Sequence, residues 1–200
     1  MKYESLLKNS KIFAVRYNAH LNNLVVPGNS NSHTSIGLTH MSLEYYESVI
    51  FLMERGAYRA SGALIRPQYE ALVRALFYFH CASPDKAEDY LKGRKPPKTY
   101  DMIAEIEKQP WFKGEHLSRF HERNWKTMHD LTHGGVLQFS RSFTGNELIP
   151  NFTDQDKHDL LRSSCLLGAT AASHVAAISG AEDIAWVIQD EFQKLCIGGP

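Results

Sequence analysis

The sequence is poor in the features that usually betray a function. Its three cysteines, Cys81, Cys165 and Cys196, are widely separated and form no CxxC pair. That excludes a disulfide scaffold, a thiolate zinc site and a thioredoxin-like motif. Charge of one sign is also lacking: 22 Lys+Arg balance 22 Asp+Glu, so no overall field gathers a polyanion. There is no GxGxxG, Walker loop or GxSxG, which removes the common nucleotide-binding and hydrolase signatures. No alternating strand pattern and no repeat period is present, so sheets and solenoids are excluded. The longest uncharged stretch, residues 163–181, holds Ser163, Ser164, Thr170, Ser173, His174 and Ser179. It is too polar for a bilayer span and reads as a buried helix. Residues 1–5 show neither the apolar run nor the cleavage site of a signal peptide, which predicts a cytoplasmic protein.

What is present is helical periodicity over 200 residues, 43% of them hydrophobic. The pattern predicts an all-α, single-domain multi-helix bundle over residues 1–200. A first helix is expected over 3–25, joined by a polar loop, residues 27–37, to a core of about 38–195. The Asn/Ser stretch 29–35 is the expected mobile segment. Further helices are expected over 39–55, 57–82 (kinked or restarted at Pro67), from Ser83-Pro84-Asp85 to Gly93, and over 100–108 with Thr99 as cap. The remainder are expected over 115–133, from Thr153 to about 179, and over 181–195. Residues 136–152 fit either helix or extended chain. Gly168, Ala172, Ala176 and Gly180 form a small-residue stripe that suits close helix packing, either inside the bundle or as a homodimer seam.

Chemistry concentrates in two places. Arg66-Pro67-Gln68-Tyr69-Glu70 sets an arginine and a glutamate four apart in an otherwise apolar helix. There they must pair or reach a cleft, because an unpaired buried ion is costly. Arg66 can present a guanidinium to an anion while Glu70 orients it. Downstream, His116, His121, His129 and His133 place four of the ten histidines within 18 residues. His129 and His133 have the i,i+4 spacing of helical metal ligands, with Glu70 or Asp130 as a third donor, yet HExxH is absent; no metal is assigned. His133 precedes Gly134-Gly135 in a last helical turn, where terminal carbonyls favour an imidazolium and the glycines admit a ligand. The candidate acid–base residue is therefore His133. Lys92, Arg94, Lys95 and Lys98 form a basic loop, with Lys95 and Lys98 the expected phosphate contacts.

Arg123, followed by Asn124 and then His129, has the arginine–spacer–histidine form of HEPN ribonucleases; a second such spacing, Arg74 to His80, shows that context carries the likeness. The wider set is Arg66-Pro67 with Glu70, Trp125, Thr132-His133-Gly134-Gly135, Gln138 and Arg141. It resembles a group of bacterial all-helical proteins of unassigned function over roughly residues 40–180, distantly HEPN-like. The resemblance implies a homodimer with a composite cleft and metal-independent RNA cleavage, without a cofactor, in a defence or toxin–antitoxin setting. Carried over by position, Arg123 and His129 fill the motif, with His133 and Glu70 as further catalytic candidates. Arg66 and Arg141 would be phosphate ligands. The alternative is a non-catalytic helical homodimer that binds a partner protein or a small anionic ligand. Zero net charge conceals a polar division that keeps an RNA partner in play: residues 55–126 carry +5 and residues 147–200 carry −5.

Overall fold

The computed structural model describes residues 1–112 and 114–198. Among them the chain forms α1 (Tyr3–Leu21), α2 (Ser30–Glu54), α3 (Tyr58–His80), α4 (Pro84–Leu91), α5 (Thr99–Glu107), α6 (His116–His133), α7 (Val136–Ser140), α8 (Asp154–Ile178) and α9 (Glu182–Phe192). A π-helical turn, Gln193–Gly198, closes the described chain. No strand forms among these residues, and the one β pairing is an isolated bridge between Thr144 and Glu147. The protein is all-α.

Most helix ends follow their punctuation. Ser83 accepts from the Lys86 amide ahead of Pro84. Thr153 and Asp156 form a reciprocal capping box at the start of α8. Gly134 ends α6 in the left-handed region, at φ 68°, where a side chain would be strained. Thr99 is not a cap; it is already helical, and Lys98 precedes it without a side-chain bond.

The largest departure concerns residues 30–37, expected as loop and found as the first two turns of α2. Asn29 caps this start by accepting from the Ser32 amide, and Asn31 donates to the carbonyls of Tyr78 and Ala82. Of the buried hydroxyls in and just after this stretch, three find a carbonyl, whereas Thr34 Oγ1 has no partner among the described residues. Ser35 donates to Ala75, Thr39 to Ser35 and Ser42 to Gln68. Small polar side chains thus let α2 lie close along α3, with Ser35 and Ser42 bonded to α3 carbonyls.

α2, α3 and α8 form the centre, with α1 and α9 packed on α8. Gly168 sits where a Cβ would lie 2.7 Å from Cγ of the fully buried Tyr46. Ala172 and Ala176 are equally buried. The small-residue stripe is therefore spent inside the chain, where α8 meets α2, and Gly168, Ala172 and Ala176 offer no seam to a second copy. A buried polar link ties α3 to the same helix: Ser164 Oγ donates to Gln68 Oε1 (2.7 Å), and Gln68 Nε2 donates to the Ser164 carbonyl (3.0 Å). Among the described residues, no helix is long and apolar enough to cross a membrane.

Candidate functional site

α3 runs unbroken through Pro67. Proline lacks the N–H that would bond the carbonyl four residues back, so the Ala63 carbonyl loses its helical donor. The Thr132 hydroxyl lies there, 3.3 Å from the Ala63 oxygen and 2.8 Å from the Met128 oxygen in its own helix. Pro67 and Thr132 thus fit one another physically, and they bring the last turn of α6 beside Arg66.

Arg66 is held on three sides. Its Nε donates to Glu70 Oε1 at 2.8 Å, its guanidinium carbon lies 4.4 Å from the centre of the Trp125 ring, and Nη1 meets His133 Nε2 at 3.0 Å. The other oxygen of Glu70 accepts from Arg74, also at 2.8 Å. One carboxylate therefore lies between two guanidiniums, each a charge-assisted contact, and the trio keeps a net positive charge. Arginine can only donate, so His133 must receive with an unprotonated Nε2.

His129 stands beside His133, with ring centroids 4.6 Å apart. Behind Trp125, His121 stacks at 4.4 Å. Burial lowers the His121 pKa, with Arg66 acting in the same sense and Glu122 and Glu70 opposing. The imidazole therefore serves as a neutral plate in an aromatic stack. Trp125 thus contacts both a histidine and an arginine, its ring face attracting the guanidinium.

Other expectations fare differently. Arg123 and His129, six residues apart on one helix, point about 120° from each other. Arg123 lines a cavity between α6 and α8, away from the histidine pair. Arg141 is engaged by Asp156 through two 2.6 Å bonds and donates also to the Asn151 carbonyl. It clamps the start of α8, so its donors do not face a ligand. Lys95 and Lys98 are exposed in the loop between α4 and α5. Asp130, weighed as a metal ligand, accepts from the Leu137 and Gln138 amides and caps α7. Gly135 makes that cap feasible, because a Cβ there would fall 1.8 Å from Asp130 Oδ1. Among the described residues, no three His, Cys, Asp or Glu side chains gather around a common point.

Arg74 and Thr132 belong to the site but carried no role from sequence: Thr132 stood only within the Thr132–Gly135 pattern and Arg74 only in the second arginine–histidine spacing. Arg74 had a readable signal, its i+4 spacing from Glu70. Thr132 had one in the carbonyl that Pro67 frees, but its partner helix is fixed only by the fold.

The fold and site define an all-helical protein with an arginine–histidine pair on its surface, steadied by a shared carboxylate. The family model described as "Family of unknown function (DUF6988)" matches residues 39–196, and the chain belongs to that family. No curated protein and no solved structure matches the chain.

Proposed function

We propose that the protein is a metal-independent, HEPN-like endoribonuclease or RNA-binding effector whose phosphate-facing arginine is Arg66. The observation that carries this reading is the 3.0 Å contact between Arg66 and His133, with Glu70 holding the guanidinium from behind. A fork of donors beside an imidazole with a free electron pair suits a phosphodiester. Arg66 turns from His133 to a phosphate oxygen. His133 Nε2 takes the proton of the 2′-hydroxyl as that oxygen attacks phosphorus. The bond to the 5′-oxygen breaks, and His129 delivers a proton to the leaving oxygen, giving a 2′,3′-cyclic phosphate. Glu70 and Arg74 touch no reacting atom and act as positioning residues. Lys95 and Lys98 supply phosphate contacts along the strand, within the basic middle of the chain. The proposed setting is defence or toxin–antitoxin, in the cytoplasm and as a homodimer.

A second reading has its own support. Glu70 and Trp125 already engage Arg66, which suits a non-catalytic module that holds a small anion or a partner protein on this surface. The test is cleavage of single-stranded RNA in EDTA by wild type, His133→Ala and His129→Ala. The catalytic reading expects EDTA-resistant cleavage that falls at least a hundredfold in His133→Ala. RNA bound but never cut supports the module, and cleavage indifferent to both histidines overturns the site.

A further inference from the structure

α6 and α8 both pack on α3 but meet each other only marginally among the described residues. Between them lies an open cavity of about 820 Å³, floored by α3 and lined also by Trp111, Phe112 and Ala185. That volume falls within the roughly 300–1,000 Å³ of small-molecule sites. Leu72, Leu76, Phe120 and Leu167 make much of the wall apolar.

The charges around it are one-sided. Among the described lining residues there is no carboxylate, whereas Arg119 and Arg123, one turn apart on α6, both line it. Arg123 makes no ion pair among the described residues. Arg119 reaches Glu115 at 3.3 Å through two largely exposed side chains, a contact weak enough to exchange. Among the lining rings, His80 lies 4.1 Å from Trp111, tilted by 40°, and 5.4 Å from His174. Burial holds the pKa of His80 down to about 4 and that of His174 to about 3, so both rings are neutral near pH 7. The interior is therefore uncharged and aromatic, and its arginines belong to the exposed helix α6.

The smaller cavity on the other side of α6, about 270 Å³, shows the contrast. It is lined by Arg141 and Asp156, which neutralise each other. Nothing there asks for an anion.

We propose that the α6–α8 cavity binds a small amphipathic anion: an aromatic or branched hydrocarbon body between Trp111, Phe120 and Leu167, and a carboxylate or phosphate monoester on Arg123. The guanidinium fork recognises either head group with paired hydrogen bonds. The apolar body displaces water from the lining, which supplies affinity without directional contacts. This site is separate from the Arg66–His133 surface, and its fate does not depend on whether the protein cleaves RNA.

The test is calorimetric titration of the full chain with 1-naphthaleneacetate, 1-naphthyl phosphate and the uncharged 1-naphthaleneacetamide. Wild type should bind at least one anion at least tenfold more tightly than the amide, and the preferred anion identifies the head group. Arg123→Ala should erase that preference and leave the amide unchanged. Thr170→Trp, which fills the cavity from a half-buried position on α8, should weaken all three, with circular dichroism confirming that each variant is folded. No binding at millimolar concentration, equal affinity for amide and anions in wild type, or an unaltered preference in Arg123→Ala would overturn the proposal.

Discussion

The two ends of α6 present opposite chemical situations. At its C-terminal half, Trp125 and His133 meet an arginine from α3 whose charge is shared with Glu70 and whose donors have partners. At its N-terminal half, Phe120 and Arg123 border an apolar space, and Arg123 has no carboxylate partner among the described residues. The first is a built polar site with geometry before any ligand arrives. The second has volume and one-sided charge but little fixed geometry. The difference teaches that an arginine and a histidine on one helix need not serve one reaction. Residues 123 and 129 fall on either side of the division, and the arginine in contact with His133 comes from another helix.

The comparison is broken most severely by removing Glu70. Glu70→Ala leaves Arg66 and Arg74 facing each other in a largely buried setting. It should cost about 2–3 kcal/mol of stability, somewhat below the figure for a fully buried pair. RNA cleavage should fall more than a hundredfold, while the affinity of the cavity for naphthaleneacetate stays within twofold; denaturant melts, a cleavage assay and calorimetry read the three effects. An undiminished melt would mean that the carboxylate does not organise the two guanidiniums.

Acid sharpens the same contrast from the other end. His80 and His174 have folded pKa values of about 4 and about 3, both below their ordinary 6.5. Below pH 6.5 the unfolded chain therefore takes up protons that the folded chain refuses. The stability is fully present above pH 6.5 and is lost as pH falls towards 4, by up to about 1.4 kcal/mol per pH unit for each ring. His174→Asn, which keeps a donor for Ser35, should flatten this slope by up to one proton in urea melts at pH 7, 5.5 and 4.5. An unchanged slope would show that the ring is not buried neutral.

A smaller effect is expected at the turn after His133. Gly135→Ala drives a methyl into the Asp130 carboxylate and should destabilise by about 1–2 kcal/mol. Adding Asp130→Ala should recover part of the loss, a non-additivity that a double-mutant cycle reads directly. Simple additivity would mean that the two residues do not meet. The smallest effect belongs to the loop: Lys95→Ala and Lys98→Ala should leave stability within about 0.5 kcal/mol. Each should lower the salt dependence of RNA binding by about one unit of slope, and an unchanged slope would remove these lysines from the strand's path.

Helix ends were legible at Ser83, Thr153 and Gly134, where a capping side chain or a glycine marks them in the sequence. The start of α2 was not, because its small polar residues look like loop until α3 lies alongside and supplies carbonyls for Asn31 and Ser35. The pairing of Arg66 with Glu70 was legible from spacing alone. Its extension to His133 was not, since it depends on α6 coming to rest over Pro67 and bringing Thr132 to the Ala63 carbonyl. The cavity had no sequence signature at all. It arises because α6 and α8 share α3 as a floor and diverge above it.

The central claim, that Arg66 and not Arg123 serves His133, is tested most directly by single-turnover RNA cleavage in EDTA with Arg66→Lys and Arg123→Ala side by side. Arg66→Lys keeps the charge and loses the fork, and should cut at least thirtyfold more slowly than wild type, while Arg123→Ala stays within threefold. A severe loss in Arg123→Ala with Arg66→Lys unimpaired would contradict the account and return catalysis to the arginine–histidine spacing on α6.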